Sequence, residues 1–135
     1  MKKLYKLLIL LFIIYLNGCH PNPSIFITNI SNDIIFVTEN NKKSSLKNGD
    51  TYKSKFYSKN NQEIRININN KNINIRELLS EIEIEYSEKL NMAYPKGTGD
   101  LYIIIKNKNI YLGGIIDGEL ERFSVQPNKF PRSLE

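Results

Sequence analysis

From Ser24 onward the chain alternates apolar and polar residues with a period of two, broken at short intervals by clusters of Asn, Asp, Gly and Lys. That pattern predicts antiparallel strands closed into a sandwich or barrel. Ser24 to Ile30 and Ile34 to Glu39 read as a hairpin around Ser31-Asn32-Asp33, whose short polar side chains supply turn chemistry. Glu39 to Lys43 reads as a polar loop, and Leu46 to Asp50 as a turn in which Gly49 can take positive φ. In Thr51 to Lys59 two faces separate: Tyr52, Ser54, Phe56 and Ser58 on one, Thr51, Lys53, Lys55, Tyr57 and Lys59 on the other. Ile64, Ile66 and Ile68 alternate with Arg65, Asn67 and Asn69 as a half-buried strand does, and Asn69 to Asn72 turns the chain toward Ile73 and Ile75.

Asn74 to Leu90 carries two patterns at once. Ile75, Leu78, Leu79, Ile82 and Tyr86 fall at helical spacing, and Asn74 with Glu77 three residues later forms a capping pair. Ile82, Ile84 and Tyr86 also alternate with Glu81, Glu83, Glu85 and Ser87. The favoured expectation is a short helix over 76–80 feeding a strand over 81–87; one helix through Leu90 is the alternative. Leu90 to Asp100, with Pro95, Gly97 and Gly99, reads as a loop. Leu101 to Ile105 is continuously apolar, as in a strand covered on both faces, and Lys106 to Asn109 turns it into Ile110 to Ile116. Asp117-Gly118 is a two-residue hairpin motif leading to Glu119–Val125, where Leu120 is out of phase with Phe123 and Val125 and predicts a bulge or an edge. The expected architecture is mainly β: an antiparallel β-sandwich of about 7–9 strands over residues 24–126, one short helix near 76–80, and an extended tail over 127–135 pinned by Phe130.

The first 19 residues follow another rule. Lys2, Lys3 and Lys6 precede an unbroken apolar run from Leu7 to Leu16, and Asn17-Gly18-Cys19 follows. Ten helical residues rise about 15 Å, half of a hydrocarbon core of about 30 Å, so the run reads as a signal peptide and not as a span. It resembles the bacterial lipoprotein signal, whose lipobox is matched by Leu16, Gly18 and Cys19; Asn17 stands where that pattern has a small residue. The resemblance implies that residues 1–18 are cleaved and that Cys19 becomes a lipidated N-terminus carrying the chain on a membrane. It also accounts for a lone cysteine in an exported protein. In Gram-negative lipoproteins a residue other than Asp after that cysteine, here His20, implies the periplasmic side of the outer membrane. Residues 19–23 then form the lipidated Cys and a tether stiffened by Pro21 and Pro23, with a reach of about 14 Å.

The net charge of +5 over 135 residues changes meaning once the prefix is set aside. Removing Lys2, Lys3 and Lys6 leaves 16 basic against 14 acidic side chains, so the exported domain is nearly balanced. Balance and export together argue against nucleic acid as a partner. A single His, in the tether, and a single Cys remove the residue types that carry most transition-metal sites and nucleophile–base pairs.

What chemistry remains is thin. Ser44 and Ser45 near Lys42, Lys43 and Lys47 read as a solvated loop. Glu81, Glu83 and Glu85, or Glu119 and Glu121, are the only carboxylate clusters that could serve glycan hydrolysis, and alternating acids are usually the wet side of a sheet. Gly97-Thr98-Gly99-Asp100 is too short for a phosphate loop, and Asp117-Gly118-Glu119 lacks the oxygen ligands of a calcium loop. No catalytic residue, metal or cofactor is expected. The stronger feature is the face bearing Lys53, Lys55, Tyr57 and Lys59, with Lys42, Lys43 and Lys47 expected nearby, which offers charge and an amphipathic ring to a protein partner. Size, anchor and lack of catalytic residues resemble the small periplasmic immunity lipoproteins associated with type VI secretion effectors. Architecture alone resembles the β-sandwich lipoprotein that anchors the type VI secretion membrane complex.

Overall fold

The computed structural model describes residues 23–55, 63–82 and 100–134. Among these, ten strands and one helix form two sheets: β1 (Ser24–Asn29), β2 (Ile35–Glu39), β3 (Lys42–Leu46), β4 (Thr51–Lys55), β5 (Ile64–Ile68), β6 (Lys71–Asn74), α1 (Ile75–Ser80), β7 (Leu101–Lys106), β8 (Asn109–Ile116), β9 (Glu119–Arg122) and β10 (Arg132–Ser133). The larger sheet has the order β10-β8-β7-β1-β4, with β9 also paired to β8; the smaller runs β3-β2-β5-β6. The fold is mainly β and sandwich-like, as the alternation predicts.

The inward positions of the two sheets meet in one core. Ile25, Ile27, Leu101, Ile103, Ile105, Ile110 and Leu112 come from the larger sheet; Ile35, Val37, Leu46, Ile64, Ile66 and Ile68 come from the smaller. Each buried Ile or Leu contributes about 1.5–3 kcal/mol relative to exposure, and a one-residue slip of register would turn this set outward. Leu78 and Leu79 of α1 join the same core. That helix starts where expected: Asn74, in extended conformation, accepts a hydrogen bond from Arg76 N–H at 2.9 Å.

Four hairpins turn on pairs of residues with positive φ: Asn40-Asn41 (48°, 66°), Asn69-Asn70 (46°, 65°), Asn107-Lys108 (48°, 58°) and Asp117-Gly118 (52°, 87°). Two successive left-handed residues are the mark of a type I′ turn, whose twist matches that of paired strands. Asn tolerates this conformation better than other residues with a side chain, so much of the chain's Asn serves its turns.

Three expectations need correction. First, β1 and β2 are not a hairpin; they lie in different sheets. The buried Asn29 side chain makes the crossing: its amide donates to Asp33 O at 2.8 Å and Leu46 O at 2.9 Å and accepts from Ser31 N and Oγ at 3.0 and 2.6 Å. The chain is thereby folded back on itself just where it leaves the larger sheet. Second, the larger sheet is mixed, because β1 runs parallel to β7. The whole smaller sheet and the helix intervene between them in sequence, which lets the chain return in the same direction. Third, Lys42–Leu46 is a strand and not loop, since the Asn40-Asn41 turn reverses the chain at once and Lys42 pairs with Glu39. Of the two alternatives for Glu119–Val125, a bulge or an edge, β9 is the edge: it pairs with β8 alone, and Leu120 sits in regular register opposite Ile115.

The segment 127–135, expected to be an extended tail, instead turns at Asn128-Lys129, where Phe130 N–H donates to Pro127 O at 3.0 Å, and does more than trail. Phe130 and Leu134 are buried, and β10 pairs with the start of β8 through Arg132 and Ser133. Lys42–Leu46 and this tail account for the strand count exceeding 7–9. One edge of β8 is thus shared by β9 and β10, and the gap between them is filled by Gln126, whose side-chain amide accepts from Leu112 N and donates to Leu112 O, each at 2.8 Å. A side chain takes the place of a strand neighbour.

Candidate functional site

Lys53 and Lys55, from the face predicted for recognition, are exposed on the outer side of β4. Tyr57, Lys59, His20 and Cys19, the residue expected to be lipidated, lie outside the described residues. The register of the larger sheet sets Lys53 opposite Phe26, Phe26 opposite Tyr102, Tyr102 opposite Gly113, and Gly113 opposite Arg122. One row therefore crosses five strands with a cation at each end. The Phe26 and Tyr102 rings stack at 4.7 Å between centroids with 7° between planes. Lys53 Nζ lies 5.1 Å from the Phe26 ring centre, and the Arg122 guanidinium lies 5.2 Å from that of Tyr111. Each such contact is worth about 0.5–1 kcal/mol at an exposed site, and it holds the charge over apolar surface.

Neighbouring rows extend the patch. Ile104 stands opposite Tyr111, and Ile115, 55% exposed, stands opposite Leu120. Between the rows a shallow groove of about 420 Å³ opens on Ile104, Tyr111, Leu120 and Arg122, with Lys106 and Glu121 at its rim. It depends on Gly113: a Cβ there would lie 2.4 Å from the Glu121 carbonyl oxygen and 2.6 Å from Ile104 Cδ1. Only a glycine lets β9 approach this closely. Asp100 at the start of β7 accepts from Ser24 N–H at 2.7 Å. Burial, with the Asp100 charge second, pushes the Tyr102 hydroxyl above its ordinary range, so the ring presents a neutral O–H.

Of the lysines expected beside this face, Lys43 is elsewhere. Lys43 projects from the outer side of the smaller sheet, with Nζ 3.9 Å from the Phe36 ring centre, because β3 belongs to that sheet. Lys42 opens β3 and Lys47 lies in the following turn. Ser44 and Ser45 are consecutive residues of β3 and so face opposite sides of it. The outer positions of the smaller sheet bring together Thr38, Arg65, Asn67, Asn72 and Asn74. A second cavity, about 390 Å³, is polar, lined by Thr38, Asn40, Asn41, Glu63 and Arg65, and its Arg65 is paired with Glu63.

The carboxylates considered for hydrolysis are dispersed. Glu81 pairs with Arg132 at 3.0 Å, tying the end of α1 to β10; Glu119 and Glu121 are exposed on β9; Glu83 and Glu85 lie outside the described residues. Glu39 joins the sheets, its two carboxylate oxygens accepting from Tyr52 Oη at 2.5 Å and Ser54 Oγ at 2.7 Å. Burial, the Glu39 hydrogen bond and the Glu39 charge together push the Tyr52 hydroxyl up to about 12.

Phe26, Tyr102, Tyr111 and Arg122 escaped the sequence reading. Phe26 and Tyr102 alternate with inward isoleucines and leucine, so parity alone could have placed them outward. Their adjacency needed the register of strands far apart in the chain. No family model, curated protein or solved structure matches this chain.

Proposed function

We propose that the chain is a lipid-anchored lipoprotein of the bacterial cell envelope that acts by binding a protein partner and has no catalytic role. The observation that carries this reading is the Leu16-Asn17-Gly18-Cys19 motif behind a basic and then apolar prefix, ending just upstream of Ser24, where β1 begins. A diacylglycerol thioether at Cys19, with an acyl chain on its amine, anchors by several chains at about 0.8 kcal/mol per buried methylene. The tether then holds the domain against the headgroups on the periplasmic side of the outer membrane. The outer face of the larger sheet supports the binding role, since it places apolar rings between cations where a partner can reach them.

Within this class the chain is an immunity-type lipoprotein, which captures a toxin before it acts. The sandwich-like fold favours a second reading, a structural lipoprotein of an envelope or secretion complex. Palmitate labelling tests the anchor: the native chain incorporates label and fractionates with membranes, and Cys19→Ala does neither. Recovery of the native chain unlabelled in the cytosol refutes the proposal. Deletion separates the two binding roles, with loss of protection beside toxin-producing siblings for immunity and loss of an assembled complex for the structural role.

A further inference from the structure

Charge and apolar area are unevenly spread over the molecule, and the unevenness points to what the outer face of the larger sheet receives. Lys53, Lys106 and Arg122 are exposed on that face and Lys55 stands in the same strand as Lys53. Two acids stand beside these four cations: Asp100, just before β7, accepts from Ser24 N–H, and Glu121 of β9 lines the groove next to Arg122. Lys53 and Arg122 stand four strand spacings apart in one row, about 19 Å at about 4.8 Å per spacing. No small anion bridges that distance, and the floor between them is the Phe26 and Tyr102 stack and the Ile104–Tyr111 groove. Apolar floor and separated cations together call for a surface of the opposite design.

We infer that this face docks an acidic protein surface, one that sets apolar or aromatic side chains on Phe26, Tyr102 and the groove while its carboxylates meet Lys53 at one end and Arg122 at the other. The inference rests on the protein-binding reading above and deepens it by naming the partner's chemistry. Cations held over aromatic rings keep their donors directed outward while their stems cover apolar surface. Complementary charge of this kind speeds encounter and rejects basic partners, and the apolar centre supplies the area that holds the complex.

The test uses the full chain purified from its own host in neutral detergent. Two synthetic peptides are titrated against it by calorimetry, one alternating Glu with Tyr and Leu, the other with every Glu replaced by Lys. The Glu peptide binds and weakens as salt rises, whereas the Lys peptide does not bind. Lys53→Glu and Arg122→Glu each weaken binding on the order of tenfold, and Lys43→Glu, on the other sheet, leaves it unchanged. Arg122→Gln serves as a second variant, and circular dichroism confirms that each is folded. Equal binding of both peptides, binding of neither, or equal loss with Lys43→Glu overturns the inference. So does binding of the Cys19→Ala chain to phosphatidylglycerol vesicles that is abolished by Lys53→Glu with Arg122→Glu, because the face would then serve a lipid surface. The anchor is scored separately: an unlabelled chain that still discriminates the peptides loses the anchor and keeps the face, while a labelled chain that does not discriminate loses the face alone.

Discussion

On the larger sheet, outward positions of neighbouring strands bring Phe26, Tyr102, Ile104, Tyr111 and Leu120 together; on the smaller sheet the equivalent positions bring Thr38, Arg65, Asn67, Asn72 and Asn74. Both faces come from the same period-two alternation over inward isoleucines. The smaller sheet spends its outward positions on solvation, with Lys43 capping the one ring, Phe36. On the larger sheet those positions form a continuous apolar strip with cations at its ends. Alternation thus fixes which residues leave the core, and register decides whether they become a surface that something else can occupy.

The sharpest way to break this contrast is Gly113→Val. Its side chain collides with the Glu121 backbone and Ile104, so it costs at least about 3 kcal/mol and detaches β9 with the groove. Asn67→Val on the smaller sheet changes stability by less than about 0.5 kcal/mol. Urea denaturation of the two variants measures both, and equal effects contradict the claim that only the larger sheet is closely fitted on its outer side.

Next come the ties between the sheets. Asn29→Ala removes four hydrogen bonds from a fully buried site and lowers stability by about 2–3 kcal/mol in the same assay. Tyr52→Phe removes the hydroxyl bonded to Glu39 and costs about 1–2 kcal/mol at neutral pH. Its pH dependence has a definite sign. The Tyr52 hydroxyl is raised from 10.0 to about 12 in the folded chain, so the folded state keeps a proton that the unfolded state has lost. The stabilisation is complete below pH 10 and disappears as pH rises through about 12. Melting curves of the native chain and Tyr52→Phe therefore converge over that interval, and a constant difference refutes the assignment.

The smallest expected effect concerns the aromatic pair. Phe26→Ala removes half of a stack worth about 0.5–1.5 kcal/mol beyond its area and lowers the melting temperature by a few degrees. Phe36→Ala, whose ring meets only the Lys43 ammonium among the contacts described above, lowers it less.

Much of the fold was legible in the chain because its determinants are local. Ile64, Ile66 and Ile68 declare a half-buried strand by alternation, Asn74 declares a helix start by its cap, and Asp117-Gly118 declares a turn by its backbone freedom. What was not legible depends on distant partners. Asn29 looks like any polar residue near a turn until Leu46 supplies the carbonyl that its amide reaches across to the other sheet. Lys42–Leu46 looks like loop by composition and becomes a strand because Ile35–Glu39 offers it an edge. Lys53 was visible as part of a basic stripe, yet Arg122, at the other end of its row, comes from the last hairpin of the chain. No local pattern joins them.

The place of β1 has a mechanical consequence. It is an interior strand, bonded along its length to β4 on one side and β7 on the other. A pull delivered through the residues before Pro23 runs along the axis of that strand and loads both ladders in shear, so many bonds must yield together. Had the chain entered at an outer strand, the same force would have unzipped bonds singly.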